Sequence, residues 1–134
     1  MNALPDQTAR YVVLHHLWIQ EPHFDFMLEL QPASPLKTWR LPCWPVGRFN
    51  KEATALDDHR NSFLEYEGPL SKGRGTVQRV EGGTCVIEKK TEVSYTLRLS
   101  SGQQLWLVRN VGRGQDSKAR RAWVACSFPS DRGA

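Results

Sequence analysis

The chain has 134 residues and a formal net charge of +4, from 18 Lys and Arg against 14 Asp and Glu. That length suits one domain with one proper core and excludes two lobes with a hinge. Three cysteines without a Cys-x-x-Cys spacing argue against a disulfide framework or a thiolate zinc site; with no leader pattern and no apolar run near the ~18 residues that span a bilayer, the expectation is a soluble, cytoplasmic protein without membrane contact.

Ten glycines and eight prolines separate short apolar runs. The expected fold is mainly β, a single-domain, closed or nearly closed antiparallel β-barrel with little helix, because closure removes exposed edges. Residues 1–10 are expected as a lead-in, 11–128 as the domain and 129–134 as a tail. Tyr11-Val-Val-Leu14 has β-branched residues at its centre and delivers His15 and His16 to the end of a strand. A loop over 17–22 leads into His23-Phe-Asp-Phe-Met-Leu-Glu-Leu30, the stretch around which the rest is organised. Phe24, Phe26, Leu28 and Leu30 take every second place, so one face is apolar while His23, Asp25, Met27 and Glu29 share the other. At roughly 3.3 Å per residue, His23 and Asp25 stand roughly 6.6 Å apart on one side of the sheet, where an imidazole and a carboxylate can meet at one cation.

Pro32 and Pro35 end that strand. Residues 36–41 alternate again, with Leu36, Thr38 and Arg40 on one face and Lys37, Trp39 and Leu41 on the other. Residues 46–58 mix polar and small side chains and are expected to wind around the outside, with 63–67 as a short strand. The second half is expected as a meander of strands over 76–80, 83–89, 94–99, 104–110 and 122–128, with turns at 81–83 and 100–102. Residues 112–121 are then the loop of the last hairpin. Arg109, Arg113, Lys118, Arg120 and Arg121 face only Asp116 in this region, and a patch of that kind attracts phosphates.

His16, His23 and Asp25 together make a two-histidine, one-carboxylate set that suits Mn, Fe(II), Zn or Co. His59, within Asp57-Asp58-His59, is a candidate proton donor or phosphate contact. Lys37, Lys51, Arg40, Arg109 and Arg113 are candidate phosphate ligands.

Several of these segments resemble the 3'-phosphoesterase domain of bacterial DNA ligase D: Tyr11-Val-Val-Leu-His-His16, His23 to Leu30, Leu36-Lys-Thr-Trp39 followed by Pro42 and Pro45, Asp57-Asp-His59, Tyr66-Glu-Gly68, Leu105-Trp-Leu-Val-Arg109 and Ala122-Trp-Val124. The resemblance covers residues 11–128 and implies a stand-alone, divergent member of that family. It implies a metal-dependent β-barrel enzyme of DNA repair, using manganese foremost and zinc or cobalt as alternatives. The reaction would remove a 3'-terminal ribonucleoside and then the 3' phosphate. DNA or DNA/RNA 3' ends would be its substrates, a separate DNA ligase or polymerase of end joining its partner, and a monomer its state.

By motif position His16, His23 and Asp25 resemble the metal ligands, His59 the phosphate-contacting histidine, Lys37 and Lys51 the family's basic residues and Asp57 its acidic one. There are departures. One extra residue separates the first two histidines, which leaves His15 as a substitute ligand, and Met27 and Phe63 stand where the family has an arginine and a tyrosine. In the short N-terminal arm, Asp6 and Arg10 are the remaining candidates. A catalytically degenerate binding domain is the alternative reading, and a β-barrel oxygenase holding iron through His23, Asp25 and His59 is a third.

Overall fold

The computed structural model describes residues 7–114 and 116–130, apart from the side chain of residue 113. Nine strands appear among the described residues: β1 (Gln7–Leu17), β2 (His23–Glu29), β3 (Leu36–Leu41), β4 (Lys51–His59), β5 (Gly68–Pro69), β6 (Thr76–Lys90), β7 (Ser94–Leu99), β8 (Gln103–Arg109) and β9 (Ala122–Pro129). The single α-helix among the described residues, α1 (Ser117–Arg120), is one turn long. The strands form one antiparallel sheet in the order β1-β2-β3-β4-β9-β8-β7-β6-β5, and β1 also pairs with β6. Eight strands therefore close into a ring, with β5 attached to β6 outside it. The expected mainly β, closed antiparallel fold is what the chain forms.

Alternation along each strand decides what the ring encloses. Tyr11, Val13, Phe26, Leu28, Trp39, Leu97, Leu105, Leu107 and Trp123 belong to one buried cluster drawn from strands all around the ring. Trp39 packs edge-on against Tyr95 and Trp123, with centroids 5.1 and 5.5 Å away. Each such side chain contributes about 1.5–3 kcal/mol by leaving water. A second, smaller cluster lies on the opposite face of the first strands: Val12, Leu14, Met27, Leu36, Leu64 and Val77, flanked by Phe63 and Leu70. It is covered by a 3-10 turn, Asn61–Leu64, and by the chain around Leu70. Hence β2 is buried on both faces, and its polar row is roofed rather than solvated.

Four boundaries differ from the sequence expectation. Pairing starts at Gln7, which faces Ile87 in β6, so residues 7–10 belong to the sheet rather than to a lead-in. Lys51–His59 is a ladder strand between β3 and β9, not an outer loop. Residues 63–67 do not form a strand, because the Asn61–Leu64 turn occupies that place and buries Leu64. Finally, residues 81–83 do not turn. The strand β6 runs through them, bulged where Val13 faces Glu81 and Leu14 faces Arg79, so that Val80 is the extra residue. Gly82 and Gly83 answer crowding instead: a Cβ at Gly82 would lie 2.2 Å from the Arg79 guanidinium, and one at Gly83 2.4 Å from the Ser100 hydroxyl.

Candidate metal centre

Register places the candidate ligands. The pairs Arg10↔Glu29, Val12↔Met27, Leu14↔Asp25 and His16↔His23 run along the outer face of β1 and β2, while Tyr11↔Leu28 and Val13↔Phe26 alternate with them inward. Directly opposed residues on antiparallel strands have Cβ atoms about 4.5–5.5 Å apart, and diagonal neighbours are next nearest. His16 and His23 are such a pair. Asp25 lies one inter-pleat step along on the same face, so the three form a triangle. Nδ1 of His16 stands 3.3 Å from Nε2 of His23, and that Nε2 stands 3.4 Å from Oδ2 of Asp25. One ligand atom from each lies within 4.8 Å of the others. His23 and Asp25 are only 6% and 4% exposed.

The outer ring nitrogens fix what the inner ones present. Nε2 of His16 is 2.7 Å from the carbonyl oxygen of Arg74, and Nδ1 of His23 is 3.0 Å from that of Glu21. A carbonyl only accepts, so each of these nitrogens carries the N–H and each inner nitrogen of a neutral ring is a lone pair. With both rings neutral, two lone pairs and a carboxylate thus face one another. Oδ1 of Asp25 is buried and has no hydrogen-bond partner. Acceptors arranged this way are costly unless a cation sits between them. The donor set of two imidazole nitrogens and one carboxylate fits Mn²⁺, Zn²⁺ or Co²⁺ equally well by type, and the backbone carbonyls supply the second shell that orients such ligands.

Beside the triangle the surface is concave. Arg40 faces Asp25 across β2 and β3 and is exposed. A cleft of about 460 Å³ is lined by His23, Arg40, Asn50 and Lys51, together with Glu21 and Pro22. A second, of about 640 Å³, is lined by Arg40, His59, Arg60, Arg74 and Arg121. Arg40 belongs to both. His59 donates from Nδ1 to the Asp57 carbonyl at 2.9 Å, which leaves Nε2 for exchange with a ligand, and its ring meets Phe63 edge-on at 5.9 Å.

Other candidates fall elsewhere. His15 points to the inner side of the sheet and stacks on Phe24 with centroids 4.1 Å apart, so His16 and not His15 joins His23. Lys37 shares the inward row with Trp39, its Nζ 5.5 Å over that ring. Arg109 follows inward-facing Leu105 and Leu107 on β8, across the ring from β2. Lys118 and Arg120 lie on α1, in the β8–β9 connection. Arg10 is bound to Glu29. Asp6 and the side chain of Arg113 lie outside the described residues.

Several contributors carried no sequence signal. Glu21 and Arg74 act through backbone carbonyls, which any residue supplies. Arg60 and Arg74 reach the second cleft from chain segments that the sequence shows only as loop. Arg121, seen in the sequence as one of a basic run, bonds Asp57 Oδ1 at 2.7 Å and the Ala55 carbonyl at 3.0 Å. That bond holds the Asp57 carboxyl below its ordinary range.

Fold and site together define a small, ring-closed antiparallel β protein with a candidate divalent-metal centre on its outer face. No known protein family matches the chain, and no curated protein matches it either.

Proposed function

We propose that this chain is a metal-dependent phosphoesterase that processes the 3' ends of nucleic acid, removing a 3'-terminal ribonucleoside and a 3' phosphate. The observation that carries this reading is the meeting of three ligand atoms within 4.8 Å of one another, one on half-buried His16 and the others on buried His23 and Asp25. The resemblance of the ligand-bearing segments to the DNA ligase D phosphoesterase domain supplies the reaction.

A divalent cation held by His16, His23 and Asp25 would neutralise phosphate charge and make a water acidic enough to attack. Arg40 and Lys51 hold the phosphoryl oxygens from the cleft wall, and Arg74 adds charge from the second cleft. His59 passes a proton through Nε2 to the leaving ribose oxygen as the phosphorus–oxygen bond breaks. Arg40 also stands on the strand beside Met27, where an arginine fork is missing, so guanidinium chemistry is still supplied.

The test is incubation of a labelled primer-template ending in a 3' phosphate with protein and Mn²⁺. Conversion to a 3' hydroxyl that is lost in His23→Ala is expected. No conversion, or conversion that the variant retains, overturns the proposal. A second reading, a nucleic-acid or repair-partner binding domain without turnover, draws on Met27, which is only 1% exposed and packed in the second apolar cluster. Salt-sensitive DNA binding that survives His16→Ala and His23→Ala, with no turnover under any metal, selects it.

A further inference from the structure

Two aromatic side chains stand out from the burial pattern. Trp18 and Phe49 are each 81% exposed, whereas the other exposed large hydrophobics are 56% or less. Both belong to chain segments that reach the cleft beside the candidate metal centre. Trp18 follows His16 by two residues in the β1–β2 connection, whose Glu21 and Pro22 line the cleft; Phe49 immediately precedes Asn50 and Lys51, which line its other side. At ~3.8 Å per residue, neither backbone is far from the wall.

The Trp18 backbone is unusual. Its φ is 61°, the left-handed region that a residue with a Cβ adopts only under constraint. The turn packs closely on Gly75, whose φ is 85° and where a Cβ would collide with the Leu17 carbonyl oxygen and with Ile19. Gly75 also accepts a hydrogen bond from Leu70 N at 2.7 Å, and the adjacent Arg74 carbonyl holds His16. One segment therefore fixes both a candidate metal ligand and the loop that displays an indole to water.

We propose that Trp18 and Phe49 are base-stacking posts beside the phosphate cleft, so that the ligand is a nucleic-acid strand whose bases next to the bound phosphate are unpaired, in a single strand or at a frayed 3' end. This rests on the reading of that cleft as a phosphate site. Guanidinium and ammonium groups along a groove, interleaved with free aromatic faces, are the means by which proteins hold single strands without reading sequence. A base within a duplex has both faces stacked already and offers neither post a surface. Arg40 and Lys51 take the phosphates beside the posts.

The experiment uses the full chain and fluorescence anisotropy with a labelled hexathymidylate bearing a 3' phosphate and an abasic deoxyribose-phosphate oligomer of equal length and charge. The wild type is expected to prefer the thymidylate, and Trp18→Gly and Phe49→Ala each to weaken that binding ~10-fold while leaving the abasic oligomer unaffected. Glycine suits the φ at position 18, so folding is spared, and Trp18→Phe is expected to restore most of the affinity. Equal binding of both oligomers by the wild type, or equal loss of both in the variants, overturns the posts. A hexauridylate arm separates RNA from DNA as the source, and base dependence in either series supports the proposal. Turnover of the 3' phosphate with Mn²⁺ is scored in parallel. Base-dependent binding without turnover keeps the posts and removes the phosphoesterase reading, and turnover without base dependence does the reverse.

Discussion

The outer row of β1 and β2 carries a carboxylate near each end, and the two sit in opposite circumstances. Glu29 receives two bonds from Arg10, at 2.8 and 2.9 Å, one from Asn61 at 2.6 Å and one from the Ala33 amide at 3.0 Å. Asp25, two pairs along, faces Leu14 across the strand and the lone pair of His23 beside it, and Oδ1 has no partner. Both are buried on the same face of the same hairpin. Burial alone therefore does not separate the two acids. The supply of donors does: both oxygens of Glu29 are bonded within the fold, whereas Oδ1 of Asp25 has no hydrogen-bond partner there.

Breaking each end in turn tests that contrast. Asp25→Asn and His23→Ala are expected to lower Mn²⁺ affinity at least ~100-fold, by titration calorimetry, while the melting temperature stays level or rises because facing acceptors are removed. Destabilisation of Asp25→Asn to the level of a Glu29 variant would erase the contrast. Mn²⁺ at ~100 times its Kd should stabilise the wild type by about 2.7 kcal/mol in urea melts and leave Asp25→Asn unmoved. At the other end, Glu29→Gln should cost about 2 kcal/mol by the same melts, since Arg10 and Asn61 lose a charged acceptor, with Mn²⁺ affinity unchanged.

Acid sharpens the difference further. The bonds from Arg10, assisted by Asn61 and Ala33, hold the Glu29 carboxyl down at about 2. In the unfolded chain the same group takes up a proton near the ordinary carboxylate value, so between that value and about 2 the unfolded state binds more protons. The contribution of Glu29 to stability is accordingly whole above the carboxylate range and is lost as pH falls through that window. Urea melts from pH 6 down to pH 3 should show a decline that Glu29→Gln flattens. The smallest effect is expected for Lys37→Ala, about 0.5 kcal/mol in stability from its contact with Trp39 and no change in 3'-phosphate turnover, because Lys37 lies on the inward row.

Much of the centre was legible because a period of two is a strong local signal: His23 and Asp25 had to share a face once residues 23–30 formed a strand. The choice between His15 and His16 was not, since it depends on register with β2 and not on spacing within either segment. Lys51–His59 hid as a strand because its inward residues include Ala53 and Ala55 rather than large apolar side chains; Ala53 pairs with Trp123 and Ala55 with Trp39, which fill the space. Glu81-Gly82-Gly83 has the chemistry of a hairpin turn, yet its glycines make room for Arg79 and Ser100. Local chemistry was the same in either case, and only the long-range neighbour decided. The roof over Met27 was invisible for the same reason, since Leu64 and Val77 arrive from distant strands and turns.

Closure of the ring by β1 against β6 also sets an order of events during synthesis. The hairpin of β1 and β2 is local and pairs early, whereas Arg74 and β6 leave the ribosome many residues later. Until they dock, the His16 ring lacks the carbonyl of Arg74 that orients it toward His23 and Asp25. The candidate centre is thereby assembled only with the finished architecture, its second-shell carbonyl from Arg74 arriving last.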